Sequence, residues 1–154
     1  MARTIAALDP LTGTRALLVE VHRELTSPSH AVVAAFEERM FVRNVRVGLL
    51  VTPSKTLVLR DTLSSMQVPG NKYEVHEVQT ADLLAGARVA VPVEQSEEAF
   101  TRQVVQMLEA VGSSWYTFLH PSAVTSMVPD VVGNLAQANL EVWDGVLERE
   151  DAAE

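Results

Sequence analysis

The stretch Arg15-Ala16-Leu17-Leu18-Val19-Glu20-Val21-His22 decides the fold. It is an apolar run interrupted by one acid and closed by a histidine, and its neighbours on both sides set its context. Upstream, Thr4-Ile5-Ala6-Ala7-Leu8 is short and apolar, and Asp9-Pro10-Leu11-Thr12-Gly13-Thr14 supplies turn residues, so residues 4–22 predict a β-hairpin. Downstream, Thr26-Ser27-Pro28-Ser29 breaks the pattern and offers a helix start. From His30 to Arg43, Val33, Phe36 and Met40 recur at helical spacing, which predicts a helix of about three or four turns. A second hairpin follows: Val45 to Thr52 is β-rich, Pro53-Ser54 turns, and Lys55 to Arg60 alternates polar with apolar residues. Its first strand reads as the more buried.

Beyond Arg60, Tyr73-Glu74-Val75-His76-Glu77-Val78 predicts a strand at the periphery, and Thr80-Ala81-Asp82-Leu83-Leu84 a capped helical turn. Ser96-Glu97-Glu98 opens the clearest helix of the chain, with acids at its positive end and Phe100, Val104, Met107 and Val111 on one face. Gly112-Ser113-Ser114 reads as its stop. Pro129-Asp130 begins a last helix through Ala138, Leu140-Glu141-Val142-Trp143 alternates like a closing strand, and Glu148 to Glu154 is a charged tail. The expected fold is α/β: a mixed central sheet of about four to six strands flanked by helices. Residues 1–147 form one domain and 148–154 the tail.

Composition narrows the chemistry. At 154 residues the chain is the size of one domain, and without cysteine it has no disulfide, thiol nucleophile or thiolate zinc site. No apolar run reaches bilayer length and the N-terminal stretch has no signal-like core, so a soluble, cytoplasmic protein without membrane contact is expected. The net charge of −8 disfavours broad attraction to nucleic acid. Residues 1–60 nevertheless carry eight basic residues against five acidic ones, and residues 61–154 four against fifteen. No phosphate-cradling glycine loop and no Gly-x-Ser-x-Gly elbow is present, which disfavours nucleotide hydrolysis and serine hydrolase chemistry. His30, His76 and His120 lie in separate segments without metal-ligand spacing.

The order hairpin, helix, hairpin, with Glu20-Val21-His22 ending the second strand, resembles the PD-(D/E)XK nuclease-like superfamily, especially its small bacterial restriction-endonuclease-like domains. The resemblance covers residues 3–61 and runs more loosely to Trp143. It implies a restriction-endonuclease-like core in which an acid on one strand and a Glu-x-Lys on the next hold a divalent metal. There carboxylates bind the hard cation, the cation activates water, and lysine adds positive charge. Glu20 falls at the glutamate, His22 at the lysine, and Arg3-Thr4 at the Pro-Asp pair. Threonine brings no negative charge, so the motif is degenerate. The helix that precedes the first strand in that family has no counterpart before Arg3 in this sequence.

The candidate catalytic residues are accordingly Glu20, His22 and Asp9, with Glu20 and Asp9 as metal ligands if Asp9 stands in for the missing aspartate. Against these roles, Glu20 would pair with Arg15 or Arg23, and Asp9 would serve its turn. Arg39, Arg43 and Arg46 are the candidate phosphate ridge, interrupted by Glu37 and Glu38. Trp115, Tyr116 and Trp143 are candidate partner contacts in a chain with only 5% aromatic residues. Three functions compete. The first is a non-catalytic interaction or regulatory domain of a bacterial assembly, with a protein partner or a second copy of itself and no cofactor. The second is a nuclease with a rearranged site using Mg2+ or Mn2+. The third is a small acidic protein-binding module.

Overall fold

Apolar strands that alternate their side chains need cover on two faces, and this chain supplies helices for both. The computed structural model describes residues 2–23, 28–61, 73–87, 89, 96–118, 135 and 138–145. The expected charged tail lies outside them, as does most of the helix expected from Pro129. Among the described residues the order is β1 (Arg3–Leu8), β2 (Arg15–Val21), α1 (His30–Val42), β3 (Val47–Val51), β4 (Lys55–Asp61), β5 (Tyr73–Gln79), α2 (Thr80–Gly86), α3 (Glu97–Phe118) and β6 (Asn139–Asp144). The six strands form one sheet in the order β5-β4-β3-β2-β1-β6. Only β2 and β3 run parallel, joined by α1; every other neighbouring pair is antiparallel. This is the mixed central sheet flanked by helices that the sequence predicts.

Alternation sorts the core into two layers. Ile5, Leu17, Val19, Leu49, Val51, Val58 and Val78 meet Leu83 and Leu84 of α2 and Phe100, Val104, Met107 and Val111 of α3. On the opposite face, Ala6, Leu18, Leu50, Leu57 and Leu59 pack against Phe36 and Met40 of α1. Each fully buried leucine or phenylalanine contributes about 2 kcal/mol. Gly48 of β3 allows the close approach of α1: a Cβ there would lie 2.6 Å from Met40 Sδ and 2.9 Å from Phe36 Cζ. The Ser29 hydroxyl caps α1 by accepting from Val32 N–H. Asn44, at φ 55°, ends it: its N–H donates to the Phe41 carbonyl and that of Val45 to the Met40 carbonyl.

Two local expectations need correction. Gly112-Ser113-Ser114 does not stop α3, which continues to Phe118 and carries Trp115 and Tyr116 in its backbone. One interior glycine costs about 1 kcal/mol, less than the anchoring of Phe100, Val104 and Met107 supplies. Thr80 does not cap α2 either. It is the first helical residue, and its hydroxyl donates to the Thr52 carbonyl at 2.7 Å, fastening α2 to the β3–β4 turn. No helix among the described residues is long and apolar enough to cross a membrane.

Candidate functional site

Glu20 is a charged residue in the middle of the sheet, and a carboxylate there must be paired or neutralised. It is 1% exposed, on the face covered by α1. Both its oxygens are taken. Oε1 accepts from Arg39 Nη2 at 2.8 Å and lies 3.0 Å from His22 Nε2, and Oε2 accepts from Arg39 Nε. An ionised carboxylate only accepts, so His22 Nε2 is the donor in this contact. Burial pushes the Glu20 carboxyl up, but the hydrogen bonds from His22 and Arg39, with the charges of both, outweigh it and hold the group below its ordinary value. The partner of Glu20 is thus neither Arg15 nor Arg23 but Arg39, reaching in from α1.

The register of the first hairpin places Thr4 directly opposite Glu20. Thr4 is fully buried, and its hydroxyl donates to the Gly145 carbonyl at 2.8 Å, tying β1 to the end of β6. Arg3, on the other face, bonds Glu97 at 3.3 Å and anchors the start of α3. Asp9 lies beyond Leu8 at the far end of the hairpin, where its Oδ1 accepts from the N–H groups of Leu11 and Thr12. Five residue steps along the chain separate the Thr4 position from Asp9, roughly 17 Å, so Asp9 and Glu20 do not share a metal. Around Glu20 the residues do not fit Mg2+ or Mn2+: a guanidinium and an imidazole occupy the carboxylate, and its neighbour is a neutral hydroxyl turned elsewhere. Among the described residues no group of three or more His, Asp or Glu is arranged to hold a metal ion.

The expected arginine ridge divides. Arg39 turns inward to Glu20, Arg43 Nη1 donates to the Arg39 carbonyl at 3.2 Å, and Arg46 is exposed in the link to β3. Arg43 instead belongs to a second place that sequence reasoning did not assemble. At the loop end of the β1–β2 hairpin, an open cleft of about 590 Å3 is lined by residues 12–14, Arg15, Arg43, Asn44, Glu141 and Trp143. The Arg15 guanidinium stands 5.5 Å from the centroid of the Trp143 ring, a cation–π arrangement. Trp143 and Glu141 share a face of β6, since residues two apart on a strand point the same way. Trp143 also packs against the α1-side core, and the side chains of Trp115 and Tyr116 lie outside the described residues. Only the β6–β1 pairing brings Trp143 to Arg15, and that pairing has no local sequence signal.

No protein-family model, curated protein or solved structure matches the chain.

Proposed function

We propose that the chain is a non-catalytic interaction or regulatory domain of a bacterial protein assembly, built on a degenerate PD-(D/E)XK nuclease-like core. The parallel β2–α1–β3 unit beside the β1–β2 hairpin supports the nuclease-like part, as does the register that sets Thr4 opposite Glu20. The single observation that carries the loss of catalysis is the occupation of Glu20: three donors from Arg39 and His22 engage both oxygens of its carboxylate. A guanidinium locked onto the acid supplies the positive charge that a divalent ion would otherwise provide, and it does so without a water to activate. The polar cluster survives as a strut between α1 and the sheet.

A cleavage assay tests this. Single- and double-stranded DNA and RNA are incubated with the full chain in Mg2+ and in Mn2+, beside Glu20→Gln. The expected result is no metal-stimulated cleavage by either protein. Cleavage by the unaltered chain that disappears in Glu20→Gln would overturn the proposal and establish the rearranged nuclease. The oligomeric state, measured by light scattering, then separates self-association from the need for a different partner.

A further inference from the structure

We infer that the cleft at the loop end of the β1–β2 hairpin binds a nucleoside phosphate. Three features of its lining carry this. First, in a chain of net charge −8 the cleft gathers two guanidinium groups, Arg15 and Arg43, against one carboxylate, Glu141. Two arginines select a phosphate by charge and by their forked donors. The negative end of α1 opposes an anion here, yet it amounts to about half a charge, and the last turn's carbonyls at Met40 and Phe41 already accept from Val45 and Asn44.

Second, the Arg15 guanidinium carbon lies over the Trp143 ring, 5.5 Å from its centroid, and a flat heteroaromatic base finds in such an aromatic ring and cation a surface to stack on without demanding a particular sequence. Third, Glu141 accepts hydrogen bonds and offers none, so it rewards a ligand bearing sugar hydroxyls or an exocyclic amine and repels a bare polyanion. Base, sugar and phosphate together match the chemistry of the walls, and about 590 Å3 lies within the range of sites for ligands of that size. The site is on the same face as Glu20 and runs from the hairpin loop along β1 and β6 to Trp143, which lies across Thr4 from Glu20; it uses none of the residues of the Glu20 cluster.

The test is titration calorimetry of the full chain with AMP, adenosine, inorganic phosphate and a short single-stranded oligonucleotide. EDTA is present throughout, so cleavage contributes nothing and the result is independent of the proposed loss of catalysis. AMP is expected to bind saturably, with Arg15→Gln and Trp143→Leu each weakening it by about tenfold. Because Trp143 also packs the core, Glu141→Gln serves as a second variant; it is expected to weaken AMP but not inorganic phosphate. Tighter binding of the oligonucleotide identifies a nucleic-acid end as the source, and equal binding a free nucleotide; both agree with the inference. It is overturned if AMP shows no saturable binding up to millimolar concentration. It is equally overturned if Arg15→Gln and Glu141→Gln leave AMP binding unchanged, or if inorganic phosphate binds as tightly as AMP.

Discussion

Arg39 meets Glu20 as a fork meets a planar acceptor: Nη2 bonds Oε1 at 2.8 Å while Nε bonds Oε2, and 19 residues of chain separate the two. One partner comes from α1 and the other from β2, so the pair fixes the helix to the sheet. Removing one member of such a pair leaves a buried charge without compensation. Arg39→Ala is therefore expected to lower unfolding stability by about 3 kcal/mol, the lower end of the range for buried pairs because Arg39 itself reaches solvent. Arg39→Lys keeps the charge but loses the fork, and should recover only part of the loss. Urea unfolding of the three proteins checks the order.

The same cluster sets an acid limit. Glu20 titrates below its ordinary 4.5 in the folded chain, so the unfolded chain binds the proton first as pH falls. Its contribution is present in full above about 4.5 and disappears as pH drops through the lowered folded value. In Arg39→Ala the burial that raises the carboxyl is no longer opposed by the hydrogen bonds and charge of Arg39, and the folded value should move upward. Side-chain carbon NMR of Glu20 against pH measures both, and an unmoved titration in the variant would contradict the account.

Gly48 sets how near α1 sits to the sheet. Gly48→Ala pushes a methyl into Met40 and Phe36, and overpacking of this kind costs about 1–3 kcal/mol. Met40→Ala costs stability by itself, since it empties a fully buried position. The double variant should be more stable than the sum of the two losses implies, because each substitution makes room for the other. Additive losses would mean that α1 shifts as a body instead.

Tyr73 reports on the alkaline side. Its phenol donates to the Val45 carbonyl at 3.1 Å, and burial, with the charges of Asp61 and Glu37, raises it from 10.0 to about 12. The folded chain then holds this proton longer than the unfolded one, so stability is full below about 10 and falls as pH climbs toward about 12. Tyr73→Phe removes that dependence and costs about 1 kcal/mol at neutral pH by leaving the carbonyl unpaired. Phenolate absorbance and thermal unfolding across this interval test both parts.

The strands and their turns are legible where hydrophobic pattern and turn residues coincide. Residues 3–61 announce two hairpins and a helix, and Leu140 to Trp143 a strand, because each signal is local. The Glu20 cluster was only half legible. A carboxylate inside an apolar strand requires a partner, but Arg15 and Arg23 are nearer in sequence than Arg39. Helical phase held the missing clue: Arg39 is three positions after Phe36 and one before Met40, which places it on the buried stripe of α1. A cation on that stripe needs an acid beneath it. The cleft was illegible for a different reason. Arg15 and Trp143 meet only through the pairing of β1 with β6, and no local pattern specifies which strand lies beside which.

That pairing also has a consequence in time. The hydroxyl of Thr4 is held by the carbonyl of Gly145, 141 positions later, and each residue of β1 faces a partner in β6. A ribosome delivers β1 and β2 together, then α1 and the rest of the sheet, while the outer rim of β1 still waits for its ladder. The nascent sheet stays open along that rim until residues 139–145 have emerged, and a chain arrested before them carries an unpaired strand next to the buried carboxylate of Glu20.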